Sequence, residues 1–87
     1  MSFSALAEVP AFWPKQVTCD EIQTSIAQYG SVIINVKYLF GMEAFTVTTE
    51  RQNCRGRYRN SKMRVTTKDY RGCYVGFYCE RMEIDHD

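Results

Sequence analysis

The side chains with the widest chemical range in this chain are Cys19, Cys54, Cys73, Cys79, His86 and a run of arginine and lysine between residues 51 and 71. Cysteine can bridge, hold a metal or attack an electrophile, and spacing narrows the choice. Cys73 and Cys79 lie in a segment that reads as one strand, which sets their Cα atoms about 20 Å apart, beyond disulfide or shared-metal reach. There is no C-x-x-C, and the only histidine, His86, stands in the acidic tail Ile84-Asp85-His86-Asp87. The spacing of a structural zinc site is therefore missing, and neither a metal nor a cofactor is expected. An even number of cysteines in a short secreted chain would suggest disulfides. Residues 1–14, however, lack the basic start of a secretory leader, and Glu8, Pro10 and Pro14 interrupt their apolar residues. The expectation is a cytoplasmic protein with reduced, mostly buried thiols, Cys54 being the most reactive because Arg55 adjoins it.

Catalysis finds little support. His86 sits at a terminus that frays, Cys54 has no histidine to orient it, and neither a glycine-rich phosphate loop nor a paired set of metal-type carboxylates is present. A binding protein is expected rather than an enzyme.

Charge is the strongest functional signal. Residues 51–71 hold eight positive groups against Asp69 alone, a net +7, while the rest of the chain holds three against nine, a net −6, so the overall +1 conceals a strong asymmetry. Such asymmetry steers anionic partners. Within the block, residues 54–60 interleave Arg55, Arg57 and Arg59 with Gly56 and Tyr58, a mixture that lets guanidinium groups meet phosphates while a ring stacks on a base. The candidate binding residues are Arg51, Arg55, Arg57, Tyr58, Arg59, Lys62, Arg64, Lys68, Tyr70 and Arg71, read as a basic hairpin region. Their partner is nucleic acid, slightly favoured, or an acidic protein surface, which arginine serves equally well. The bland reading is an edge strand kept soluble by charge. No specific base-reading motif is present. A single domain without a catalytic set and with lopsided charge also has the general character of small phage or mobile-element inhibitors, anti-CRISPR proteins among them. That type supplies the alternative function, a protein that docks on an acidic or nucleic-acid-handling surface of a host complex. No window approaches the roughly 20 apolar residues needed to span a bilayer, and no membrane partner is expected. Nothing in the sequence sets the oligomeric state.

These residues must be held by a small scaffold. A length of 87 residues, with 45% hydrophobic and 24% charged side chains, suits one globular domain with a modest core. Thr18 and Glu21 form a capping box, flanked by Val17 and Ile22 as a hydrophobic staple. Cys19, Ile22, Ile26 and Tyr29 then follow at helical spacing, and Gly30 supplies a left-handed stop, so a helix is expected from Cys19 to Tyr29. From Ser31 the period becomes two: a strand to about Leu39, a turn around residues 40–43, a second strand through Phe45 and Val47, a third through Met63, Val65 and Thr67, and a fourth from Cys73 through Ile84 after a turn at 69–72. On the fourth, Cys73, Val75, Phe77 and Cys79 are expected on one face and Tyr74, Tyr78 and Met82 on the other. Gly76 marks a bulge or a close approach. Residues 1–16, with Phe3, Leu6, Val9, Phe12 and Trp13, are expected to pack on the sheet. The fold class is α+β, one N-terminal helix on a four-stranded, mainly antiparallel sheet.

Overall fold

The computed structural model describes residues 9–82, so the expectations for Phe3, Leu6, Ile84 and His86 lie outside the described residues. The helix α1 spans Cys19–Tyr29, as the capping signals require. The Glu21 amide donates to Thr18 Oγ1 at 3.1 Å and the Thr18 amide donates to Glu21 Oε1 at 2.8 Å, satisfying two orphan donors reciprocally. Gly30 closes the helix at φ 84°, its amide donating to the Ile26 carbonyl at 2.8 Å. A long-range cap joins these local ones. Asp69 Oδ1 accepts from the Cys19 amide at 3.0 Å and from the Thr67 hydroxyl at 2.9 Å, tying the helix start to a distant turn.

The strands are β1 (Ala11–Phe12), β2 (Ser31–Tyr38), β3 (Gly41–Thr48), β4 (Tyr58–Val65) and β5 (Cys73–Arg81), in the sheet order β1-β2-β3-β5-β4. Among the described residues the sheet thus has five strands, not four, and α1 follows β1 and a 3-10 turn at Pro14–Gln16. Ala11 and Phe12 pair in parallel with Ile33 and Ile34. Two residues are too few to show alternation, and a parallel partner across a helix leaves no local signature. β4 starts at Tyr58, earlier than apolar alternation suggests, because its first turns of pleat are polar. As expected, β5 is an interior strand, between β3 and β4.

Ile22 and Ile26 of α1 bury against Val32, Ile34, Val47, Met63, Cys73 and Val75. Each such aliphatic side chain contributes roughly 1.5–3 kcal/mol by leaving water. β5 does not keep one face throughout. Met63 pairs with Gly76 but Arg64 pairs with Tyr74, so Val75 is bulged and the facing alternates out of phase beyond it. Cys73 and Val75 face the helix, whereas Phe77 and Cys79 face the other way, which corrects the expectation that all four share a face. Gly76 serves as both bulge neighbour and close approach: at φ 149°, a Cβ there would collide with the Thr48 carbonyl, with Val47 Cγ1 at 2.9 Å and with Ile26 Cδ1 at 3.0 Å.

The cysteines are not free. Cys19 bonds to Cys73 and Cys54 to Cys79, each with Cα atoms 5.7 Å apart, which overturns the expectation of reduced thiols. Cys73 and Cys79 indeed do not pair with each other, but each finds a partner from a different part of the chain. The bulge sends one bond to the helix side of the sheet and the other to the open side. Among the described residues, no helix is long and apolar enough to cross a membrane.

Candidate functional site

Only Thr48 and Phe77 pair between β3 and β5. Beyond that point the two strands part, and residues 49–57 cross the open face of the sheet to reach β4. Gln52 fills the parting: its Nε2 donates to the Thr46 carbonyl at 2.9 Å and to the Phe77 carbonyl at 2.8 Å, supplying one hydrogen bond to each separated strand. Asn60 Nδ2 donates to the Gln52 carbonyl at 3.0 Å, and the Cys54–Cys79 bond fixes the segment two residues on. At its far end the Tyr58 amide donates to the Arg55 carbonyl at 3.2 Å and the Met82 amide to the Arg57 carbonyl at 2.7 Å. The crossing segment is anchored at both ends and in the middle.

That anchoring places the charges. Lys62 stands opposite Phe77 and Arg64 opposite Tyr74 in the β4–β5 ladder, so edge strand β4 points both cations onto the open face. The Arg51 guanidinium lies 5.9 Å from the Phe77 ring centroid and that of Arg64 lies 5.4 Å from the Tyr74 centroid. Stacking on a ring orients a guanidinium while leaving its N–H edge free to donate to a phosphate or carboxylate.

The sequence-nominated residues separate into groups. Arg51, Lys62 and Arg64 come together on the open face with Phe77 and Tyr74. Arg55, Arg57 and Tyr58 are exposed at the end where β4 begins, Tyr58 opposite Arg81. Arg59 points to the helix side and makes the one ion pair among the described residues, 3.5 Å from Glu80, with both side chains exposed enough for the pair to add little stability. Lys68, Tyr70 and Arg71 lie at the opposite end of β4, in the turn into β5. The block is therefore one in sequence and divided in space. Asp69, its only acid, is occupied in capping: the Cys19 amide first, and then the Thr67 hydroxyl, hold its carboxyl below the ordinary value of 3.8. Tyr74 and Phe77 carry no candidate role when β5 is read alone. Their signal is the pairing with Arg64 and Lys62, visible only once strand register is known.

Two further features were missed. On the helix side an open groove of ≈ 1010 Å³ runs between the 3-10 turn and β4, with Val36, Phe45, Met63 and Tyr78 among its apolar lining. Phe45 and Tyr78 meet edge to face at 5.4 Å, and burial pushes the Tyr78 phenol up, with Glu80 and Tyr38 adding to the rise. Beside the groove the β2–β3 turn exposes Leu39 at 88%, Phe40 at 95% and Met42 at 66%. Apolar residues at a turn where polar ones are usual were the available signal.

No protein-family model matches the chain, nor does any curated protein or solved structure. Among the described residues no group of three or more histidine, cysteine, aspartate and glutamate side chains can hold a metal ion.

Proposed function

We propose that this is a non-enzymatic binding protein whose open sheet face takes an anionic chain, single-stranded nucleic acid before an acidic protein surface. One observation supports it most: Arg51 and Arg64, each stacked on an aromatic ring, flank the Lys62–Phe77 pair on a single rigid face. Cations beside partly exposed rings suit a substrate that offers phosphates and flat bases together, and stacking asks nothing of sequence. An acidic protein surface would use the cations and leave Phe77 and Tyr74 idle. Arg55, Arg57 and Tyr58 extend the same positive potential toward one end of β4. Lys68, Tyr70 and Arg71 stand at the other end.

The disulfides bear on the setting. Cytosolic reductants keep thiols reduced, so the bonds support an oxidising compartment over the cytoplasm inferred from the sequence. They count against the alternative of an inhibitor acting inside a bacterial cytoplasm.

The test compares two charge reversals. Arg51→Glu/Lys62→Glu/Arg64→Glu is expected to abolish oligonucleotide binding, and Arg55→Glu/Arg57→Glu/Arg59→Glu to weaken it less. If the first variant keeps full affinity, the open face is not the site. Binding confined to acidic polypeptides, with oligonucleotides ignored, would leave the second partner class standing.

A further inference from the structure

The β2–β3 hairpin ends in a feature that the basic face does not use. Tyr38, Leu39, Phe40 and Met42 are exposed together at its tip, Phe40 at 95%. An apolar group of this kind on a small domain marks an interaction site, and its form limits the partner. Leu39 and Phe40 are the whole connection between β2 and β3, since Tyr38 pairs directly with Gly41. They project from a tight turn. A protein partner would need a socket shaped for them, whereas a bilayer accepts an apolar tip without one.

Charge around the tip favours the bilayer. The groove at its base, to which Tyr38 and Leu39 contribute, is lined by Lys15 and Lys37 and, among the described residues, by no acidic one; Lys62 and Arg64 border it from β4 while their side chains project onto the open face. Trp13 also lines it, so an indole and the Tyr38 phenol border the same groove as the lysines. Glu43, next to Met42, lines the tip itself, and Glu80 borders a second pocket with it; neither lines the groove that holds the lysines. An apolar tip beside amphipathic aromatics and lysines matches the three kinds of group a bilayer presents: acyl chain, interface and anionic headgroup.

We infer that the tip at residues 38–42 inserts into the interface of an anionic lipid membrane while the lysines of the groove meet the headgroup phosphates. This mode concerns lying on a membrane, not crossing one, and it replaces the expectation of no membrane partner, which rested on the lack of a spanning segment. It goes beyond the nucleic-acid reading and needs neither Arg51 nor Phe77.

Co-sedimentation of the oxidised protein with vesicles of phosphatidylcholine alone, and with about 30% phosphatidylserine, tests it. Binding to the anionic vesicles and little to the neutral ones is expected, together with a blue shift of Trp13 fluorescence, this being the only tryptophan. Leu39→Asp/Phe40→Asp changes two fully solvated positions, so its circular dichroism should be unchanged while vesicle affinity falls at least roughly tenfold. Lys15→Glu/Lys37→Glu should lower it by roughly fivefold for each cation removed. Oligonucleotide binding should survive the tip variant, which separates failure of this inference from failure of the basic face. The inference is overturned if anionic vesicles do not bind, if the tip variant binds them equally, or if the tip instead drives a concentration-dependent dimer that the variant abolishes.

Discussion

The two ends of β5 solve the same problem differently. Around Cys73 and Val75 the strand is covered by α1, buried aliphatic side chains do the holding, and the Cys19–Cys73 bond is added to a core that already exists. Around Phe77 and Cys79 the neighbouring strand β3 has parted, and cohesion comes from Gln52, Asn60 and the Cys54–Cys79 bond, with little hydrophobic cover. The first end is made by burial, the second by specific polar and covalent ties. The second leaves a face open for cations and rings to meet a partner, which a helix-covered face cannot do.

Gly76 is the joint between the two ends, and substituting it should have the largest effect. Gly76→Ala would press a methyl group into the Thr48 carbonyl, Val47 and Ile26 at a backbone angle that disfavours side chains, and is expected to cost about 4 kcal/mol. Chemical denaturation measures it; a loss below about 1 kcal/mol would mean that β3 and β5 do not approach as described.

The disulfides sharpen the contrast. Their sequence separations of 54 and 25 give similar chain-entropy stabilisation, about 4 and about 3.5 kcal/mol, because the dependence on loop length is logarithmic. Access differs more than energy. Cys73 is fully buried, although its partner Cys19 is half-buried, whereas Cys54 and Cys79 are both half-buried, so mild reductant followed by alkylation and mass spectrometry should show Cys54–Cys79 opening first and Cys19–Cys73 later. Simultaneous opening would erase the distinction between the two ends.

Smaller effects belong to the helix start. Thr18→Ala removes the acceptor for the Glu21 amide and should cost about 1 kcal/mol. Asp69 caps the same helix from the β4–β5 turn, and its folded pKa is depressed. Its contribution is therefore present above the ordinary 3.8 and is lost as the pH falls through the folded value. Thermal melts of Asp69→Asn and the unmodified protein should differ most near neutrality and converge in acid.

How much of this was legible follows the range of the interactions. The limits of α1 are set by Thr18 and Glu21 at its start and by Gly30 at its end, each acting within a few residues of itself, and all were readable. The alternation of Val32, Ile34 and Val36 announced β2 equally well. What the sequence hid is non-local: the parallel partner of Ala11 and Phe12, the parting of β3 from β5, and both disulfides. The strand length that rightly kept Cys73 from pairing with Cys79 said nothing of Cys19 or Cys54, and the even cysteine count was the signal for both bonds. The basic residues were visible as a block, but the bulge at Val75 and the strand register decide which of them share a face. Arg59 and Arg64 differ by five positions and point to opposite sides of the sheet.

Fluorescence anisotropy of a labelled single-stranded oligonucleotide, titrated with the oxidised protein over a range of salt, tests the central claim most directly. If Arg51, Lys62 and Arg64 each neutralise a phosphate, the logarithm of the binding constant should fall against that of salt with a slope near −2, at roughly −0.7 per contact. Phe77→Ala should weaken binding by ~1–3 kcal/mol without changing that slope, because a ring contributes stacking and no charge. A slope near zero, or an affinity untouched by loss of Phe77 and by reversal of the three cations, would contradict the account.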